Sequence, residues 1–159
     1  MTIRTQELIA KLKLQPHPEG GHYREIYRSP LQVLRHGEPR SALTTIYFLL
    51  CQGEVSRWHV VESDEVWHFY EGDGLELITY NPQQQRLEKV ILGAQLDGFT
   101  SVHVVPAGYW QAAQPCGNYA LVGCSVAPGF EFMDFGFVVD EEDYEAAFLG
   151  DLGEYKHLL

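Results

Sequence analysis

The segment GEVSRWHVVESDEVWHFYEG, residues 53–72, decides how the chain folds. Apolar and polar residues alternate on either side of the short polar stretch ESD, which predicts two strands near residues 55–61 and 65–71. Side chains alternate between the two faces of a strand. If these strands pair as a hairpin, His59 and Glu65 therefore point into the same interior.

The rest of the chain consists of similar short runs separated by Gly, Pro, Asn and Asp. Further strands are predicted near residues 22–29, 42–51, 74–80, 87–92, 100–105, 109–114, 118–127 and 131–138. The glycines of EGDG, residues 71–74, predict a hairpin turn, because glycine readily adopts the positive φ that such turns require. Many short strands favour an antiparallel, all-β sandwich or barrel, and we expect one domain over residues 1–159.

A short helix is predicted at each end of the chain. Residues 5–14 place apolar side chains on one face, and Pro16 ends the helix. The segment DEEDYEAAFLG, residues 140–150, has Asp140 as its predicted N-cap and Gly150 at its end. We expect both helices to flank the barrel.

Composition and charge restrict the partners and the compartment. The 159 residues are 45% hydrophobic and carry a net charge of −11, which disfavours nucleic acid and anionic membranes as partners. The three cysteines form no CxxC pair, and the first residues, MTIRTQELIAKLKL, lack the apolar core of a signal peptide. We therefore expect a cytoplasmic protein. Its longest apolar run, residues 46–51, is far shorter than the ~20 residues of a membrane helix.

The segment at residues 53–72 resembles the first sequence motif of the cupin proteins. That motif is a glycine, five residues, HxH, three or four residues, a glutamate, six residues and a glycine. Gly53, His59, Glu65 and Gly72 are in register with it, whereas Val61 stands where the second histidine is expected.

A second motif, PxGxxH in cupins, resembles PAGYWQ at residues 106–111, with Gln111 in the place of histidine. More specifically, the chain resembles the cupin-5 family, a domain of unknown function. The similar segments are HPEGGHYREIYRS at 17–29, SDEVWHFYEG at 63–72, VPAGYWQAA at 105–113 and PGFEFMDF at 128–135. The resemblance implies an RmlC-like jelly-roll barrel from about residue 16 to 138, usually dimeric and without a settled activity.

The altered motifs bear on whether the protein holds a metal. Cupin metals are bound by imidazole nitrogens and one carboxylate. Here His59, Glu65 and Gln111 would supply one nitrogen and two oxygens, and Val61 supplies no ligand. We therefore predict no cofactor, with weak binding of a divalent metal as the alternative.

Acid–base chemistry without a metal is the second candidate. A carboxylate beside His59 would raise the basicity of the imidazole and fix its tautomer, and Glu65 is the expected partner. Metal-free cupins that epimerise sugars use such a pair with a tyrosine acid, a role open here to Tyr23 or Tyr109. The alternative is a buried hydrogen bond between His59 and Glu65 with no catalytic role.

The loop HPEGG, residues 17–21, is the third candidate. Pro18 stiffens it and two glycines permit close backbone approach, so Glu19 would be held rigidly. Across the barrel mouth, His17 and Glu19 would join a ligand site. The alternative is a structural cap in which Glu19 bonds backbone amides.

Strand parity adds further candidates for ligand binding. Trp67, Tyr109 and Gln111 are expected to face the interior, where aromatic rings suit a flat or sugar-like ligand. Arg57 shares the parity of His59 and is the best cation for an anionic ligand. Aromatic packing in the core explains the aromatic residues equally well, and an exposed arginine beside a turn is the commoner outcome for Arg57.

The outward parity of Trp58, His68 and Trp110 predicts a homodimer that covers these side chains. From these candidate site residues we predict an isomerase or epimerase that acts on a small molecule by metal-free proton transfer. A non-catalytic binding module for a small polar metabolite is the alternative, and a metal-dependent cupin enzyme with a degenerate site is the third.

Overall fold

Two antiparallel sheets packed face to face form the body of the protein in a computed structural model, which describes residues 1–95, 98–142, 144–150 and 152–159. The strands are β1 (Gln15–Pro16), β2 (His22–Arg28), β3 (Gln32–Arg35), β4 (Glu38–Ser41), β5 (Thr44–Cys51), β6 (Ser56–Val61), β7 (Asp64–Gly72), β8 (Leu75–Asn81), β9 (Arg86–Leu92), β10 (Val102–Val105), β11 (Trp110–Pro115), β12 (Tyr119–Ala127) and β13 (Phe135–Phe137). The helices are α1 (Ile3–Leu12) and α2 (Tyr144–Leu149).

The strand order confirms the predicted jelly roll. One sheet has the order β1-β2-β5-β12-β7-β10, and the other has the order β13-β6-β11-β8-β9. A separate hairpin, β3–β4, was not predicted. The last predicted strand, 131–138, is correct only over Phe135–Phe137, which short 3₁₀ turns flank on both sides.

The inner faces of the two sheets enclose the main core. Phe48, Trp67 and Val122 from one sheet meet Leu75 and Leu77 from the other, and all five side chains are buried. The apolar run of β5 is buried on both faces, since its alternate residues pack outward against α1. This accounts for an almost continuous hydrophobic strand in an antiparallel sheet.

Helix α1 covers the outer face of the larger sheet. It begins two residues before the predicted start, because the Thr2 side chain accepts a hydrogen bond from the Thr5 amide and caps the helix. Lys13 ends it in the left-handed conformation. Leu8 packs there against Leu49 and Leu121.

The C-terminal segment covers the outer face of the smaller sheet. Trp58 and Trp110 point out of the barrel, as their parity predicts, but they are buried against Leu152 and Leu158 of the same chain. His68 lies on the other sheet. Burial of these two tryptophans therefore needs no second subunit, and the homodimer stays a prediction without this support.

The predicted start of the C-terminal helix is wrong. Asp140 ends a 3₁₀ turn, Val138–Asp140, that buries Val138 in the outer cluster, and the chain is extended again at Glu141. Helix α2 begins at Tyr144. Asp143, within the predicted helix, lies outside the described residues.

Two predicted hairpins are also wrong. Strands β6 and β7 lie in different sheets, and so do β7 and β8 on either side of EGDG. His59 and Glu65 still meet, because each points inward from its own sheet.

In the part of the chain that the structure describes, no helix is long and apolar enough to cross a membrane.

The covering role of the C-terminal segment can be tested with two leucines. Leu152 is fully buried in the outer cluster, whereas Leu149, in helix α2, is 87% exposed. Because truncation of a buried leucine leaves a cavity, we expect Leu152→Ala to lower the free energy of unfolding by about 2–4 kcal/mol. Leu149→Ala is the control and should change it by less than about 0.5 kcal/mol in denaturant titrations. Equal effects would contradict this packing.

Candidate active site

A cavity of about 130 Å³ opens between the two sheets and contains buried polar groups. Its lining combines carboxyl groups, imidazoles and aromatic rings. The lining residues are Gln15, His17, Glu19, Tyr23, Glu25, Arg28, Thr44, Ile46, His59, Val61, Glu65, Cys124, Val126, Phe130, Glu131, Phe132 and Phe135. A cavity of this size holds a compact molecule or one end of a longer one.

The HPEGG loop places Glu19 at the inner end of the cavity. The Gly20 amide donates to the His17 carbonyl, and the Glu19 carbonyl accepts from the Arg57 amide of β6. A β-carbon on Gly20 would lie 2.0 Å from the Val55 carbonyl oxygen, so only glycine allows this approach. The loop is thus fixed against the smaller sheet.

An irregularity in the pairing of β6 with β11 corrects the parity argument for Arg57. Gln111 lies opposite His59, but Ala113 lies opposite Ser56, so two residues of β6 face the single residue Ala112. This bulge turns Ser56 inward and leaves Arg57 exposed, with its guanidinium donating to the Pro18 carbonyl. The parity prediction, which made Arg57 a candidate for ligand binding, is wrong for this reason, and the exposed arginine that was the commoner expectation is what the structure shows.

The tautomer of His59 follows from its hydrogen bond. Its Nδ1 lies 2.7 Å from the Arg57 carbonyl oxygen, which can only accept, so Nδ1 carries the proton. Burial lowers the pKa of His59, although the charge of Glu65 opposes this shift. A neutral ring with a lone pair on Nε2 is the result, and Nε2 lies 3.4 Å from Oε2 of Glu19.

Glu19 takes the position beside His59 that the sequence assigned to Glu65. Its Oε1 accepts a hydrogen bond of 2.8 Å from the Ser56 hydroxyl. Burial raises the pKa of Glu19 to about 8, against the opposing effects of Ser56 and of the charge on Arg57. Glu19 is therefore mostly protonated at neutral pH, which makes it a proton donor next to the lone pair of His59.

His17 closes the same group of side chains from the loop. Its Nδ1 accepts a hydrogen bond of 3.2 Å from the Glu19 backbone amide, so this nitrogen is unprotonated. Burial lowers the pKa of His17 to about 4, and the neighbouring charge of His59 acts in the same direction. His17 is a neutral acceptor rather than a cation.

A chain of directed hydrogen bonds holds Glu65. The indole N–H of Trp67 can only donate, and it donates to Oε1 of Gln111 at 3.0 Å. The amide is thereby oriented so that Nε2 donates to Oε2 of Glu65 at 2.6 Å. Burial raises the pKa of Glu65, and the interaction with His59 opposes the shift.

Three phenylalanines from the PGFEFMDF segment form one wall of the cavity. Phe135 stacks on His59 with ring centroids 5.3 Å apart, and Phe130 and Phe132 pack edge to face. The segment contributes to the family resemblance, but neither parity nor charge identifies its rings as cavity residues. Sequence reasoning therefore missed all three.

The other candidates occupy different positions. Tyr23 lines the cavity and contacts the His17 ring edge to face. Gln111 and Trp67 face the interior as predicted, but they lie behind Glu65 and outside the cavity lining. Tyr109 packs against the core and its hydroxyl accepts from Asn81, also outside the lining.

The residues of this site do not fit a transition metal. Val61 lines the cavity where the motif has an imidazole, and both ends of the Gln111 amide are engaged. Among the described residues, no group of three or more His, Cys, Asp and Glu side chains is arranged to hold a metal ion. The prediction that the protein purifies without metal remains a prediction.

The fold and the site define a small jelly-roll protein of the cupin type. Comparison with known proteins agrees, since the family model described as cupin superfamily (DUF985) matches residues 6–138. The chain belongs to this family, whose function is unknown.

Three similar proteins have names that state no activity. Protein SO0799 from Shewanella oneidensis is 34% identical with a TM-score of 0.80, covering 96% of this chain and 92% of that one. A hypothetical protein from Leishmania major is 36% identical with a TM-score of 0.77, covering 82% and 85%. The uncharacterized protein YML079W from Saccharomyces cerevisiae is 28% identical over 155 residues, covering 87% of this chain and 77% of that protein.

The raised pKa of Glu19 gives a prediction about stability and pH. The folded protein keeps this proton up to about pH 8, whereas the ordinary pKa is 4.5, so the folded state binds the extra proton between these values. The stabilisation is complete below pH 4.5 and is lost as the pH rises to about 8. As the pH rises through this window, Glu19→Gln should therefore become more stable relative to the wild type, by up to roughly 1.4 kcal/mol for each pH unit.

Denaturant unfolding at a series of pH values measures that difference. Comparison with the wild type is needed because His17, with its lowered pKa, gives the opposite slope at acid pH. The exposed Glu145→Gln variant is the matched control and should follow the wild type throughout. A difference between Glu19→Gln and the wild type that stays constant from pH 4.5 to 8 would contradict the shift.

The side chains available as metal ligands lead to a prediction about the metal content of the protein. We expect elemental analysis of the purified protein to show no stoichiometric transition metal, because Val61 and Gln111 replace two imidazoles of the motif. The double variant Val61→His/Gln111→His should acquire a metal that the single variants do not. About one metal per wild-type chain, lost in Glu65→Ala, would overturn the prediction.

Proposed function

We propose that the protein is a metal-free acid–base enzyme, an isomerase or epimerase that moves a proton on a small carbonyl compound. The observation that carries the proposal is the pairing of a neutral imidazole with a protonated carboxyl group. Nε2 of His59 has a free lone pair by its tautomer, and the Glu19 carboxyl lies 3.4 Å from it. A neutral base beside a protonated acid is the arrangement that general acid–base catalysis near neutral pH requires.

The reaction follows from these two groups. Nε2 of His59 removes a proton from the carbon next to the substrate carbonyl, and the electrons of the broken C–H bond move onto the carbonyl oxygen. Glu19 gives its proton to that oxygen, and a neutral enol results. As a proton returns to carbon, Glu19 takes back the proton of the enol oxygen and the carbonyl forms again. Return from His59 would retain the centre and restore both groups. Return from the Tyr23 hydroxyl on the opposite face would invert the centre, and the extra proton of His59 would then pass to the Tyr23 phenolate through solvent.

The surrounding residues favour this chemistry. Proton uptake leaves His59 as an imidazolium, and the charge of Glu65 stabilises that form. The phenylalanine wall limits access of water, which strengthens the electrostatic interactions and protects an enol. Gln111 acts here as a positioning residue, because it contacts Glu65 and lies outside the cavity lining.

A non-catalytic binding module for a small polar metabolite is the second candidate. A small cavity lined with aromatic rings and hydrogen-bonding groups favours it equally. The two functions differ in whether bound compounds exchange hydrogen with solvent. A homodimer and a cytoplasmic location complete the proposal for either function.

Hydrogen exchange in heavy water tests the proposal. Small keto compounds and sugar nucleotides are incubated with the protein, and deuterium uptake at carbon is followed by NMR. For an active compound, His59→Asn should lower the rate by about 100-fold or more, because it removes the base. His36→Asn is the control, since His36 is exposed on the β3–β4 hairpin at a positive φ that asparagine tolerates.

The outcome that contradicts catalysis is binding without exchange. If compounds bind tightly and neither the wild type nor His59→Asn incorporates deuterium, the binding module is the correct reading. Equal rates in His59→Asn and His36→Asn would show that another group is the base.

A further inference from the structure

The charges in the cavity lining are strongly one-sided. Four carboxyl groups face the cavity, those of Glu19, Glu25, Glu65 and Glu131. Among the described lining residues, Arg28 is the one Lys or Arg side chain. The chain as a whole carries a net charge of −11.

The positive charge of Arg28 is paired with two carboxylates at the mouth of the cavity. Its Nε and Nη2 donate to the two carboxyl oxygens of Glu25 at 3.0 and 2.9 Å, and Nη1 donates to Glu131 at 2.7 Å. Nη2 also donates to the Phe130 carbonyl. A guanidinium held by two carboxylates in this way is a poor receptor for a carboxylate or phosphate of a ligand.

Aromatic rings share the cavity lining with the carboxyl groups. Phe130, Phe132, Phe135 and Tyr23 line the cavity, and the negative face of an aromatic ring attracts a cation. Aromatic faces and buried carboxyl groups around one small space are the combination that recognises ammonium groups. Neither feature offers anything to an anion.

We propose that the cavity takes a small organic cation, with the ammonium group held between the phenylalanine wall and the carboxylate of Glu65, which accepts a hydrogen bond from the Gln111 amide and lines the cavity. This inference rests on the proposed function in one respect, since it names the substrate class as a small carbonyl compound that carries an ammonium group. It removes sugar nucleotides from the expected substrates, because their phosphates would meet the carboxyl groups.

Three probes of nearly the same shape and different charge separate the possibilities. Choline is the cation, and neohexyl alcohol is its neutral isostere with carbon in place of nitrogen. The corresponding anion is tert-butylacetate, the carboxylate of tert-butylacetic acid. We expect calorimetric titration to show choline binding about tenfold more tightly than neohexyl alcohol. Tert-butylacetate should show no binding.

Two variants locate the selectivity in this cavity. Glu65→Gln, a change that keeps the shape, should remove most of the preference for choline and leave binding of neohexyl alcohol unchanged. Phe132→Leu replaces a half-exposed ring of the wall and should lower the preference by about threefold. Phe99→Leu, with a ring that is 41% exposed and outside the cavity lining, is the matched control. Melting curves verify folding, and Phe132→Leu keeps the test decisive if Glu65→Gln does not fold.

The binding test is independent of catalysis, because all three probes are inert to the proposed proton transfer. Equal or tighter binding of neohexyl alcohol, or binding of tert-butylacetate, overturns the cation proposal even if carbonyl compounds exchange hydrogen. Preference for choline that Glu65→Gln removes supports it even if no compound exchanges, and in that case the proposed enzyme activity alone fails.

Discussion

The burial of two carboxyl groups beside an imidazole, with no ion pair to a Lys or Arg side chain among the described residues, is the constraint that organises this protein. Removing an ionised carboxylate from water is so costly that a buried group without a charged partner keeps its proton instead. Glu19 shows this directly, since burial raises its pKa to about 8. The neighbours of both carboxyl groups are accordingly neutral donors, the Ser56 hydroxyl and the Gln111 amide.

Such a group of side chains needs a rigid frame, because every buried polar atom requires a partner at the right distance. Backbone geometry supplies much of that frame. The approach of Gly20 to Val55 fixes the loop that carries Glu19, and the bulge opposite Ala112 turns Ser56 inward to meet it. The indole of Trp67 orients Gln111 from the core side. Secondary structure and site are therefore specified by the same few contacts.

The sequence predicted the elements whose pattern is local and missed those that depend on packing between distant segments. Period-two alternation placed His59, Glu65 and Gln111 in the interior, and the structure places them there. A one-residue bulge reverses the parity of everything before it, so Arg57 was assigned to the wrong face. Glu19 became the partner of His59 because the loop folds back onto β6, a contact between residues far apart in sequence.

The same distinction explains the errors in the outer layers. Outward parity for Trp58 was correct, but parity does not tell whether a partner or the chain itself covers a face. Leu152 and Leu158 cover it from the C-terminal segment, nearly one hundred residues away in the chain. The turn at residues 71–74 was read as a hairpin because glycine permits one, yet it joins two sheets, as jelly-roll connections do.

The two departures from the cupin motifs, Val61 and Gln111, act together on the charge balance of the cavity. With imidazoles at positions 61 and 111, a divalent cation would hold Glu65 and His59 as its ligands and keep the carboxylate ionised. Valine and glutamine remove that compensation, so burial raises the pKa of both carboxyl groups, Glu19 retains its proton and His59 stays neutral. An incoming ammonium group would restore the missing positive charge. The proposed acid–base chemistry and the proposed preference for a cationic ligand therefore both rest on the same burial.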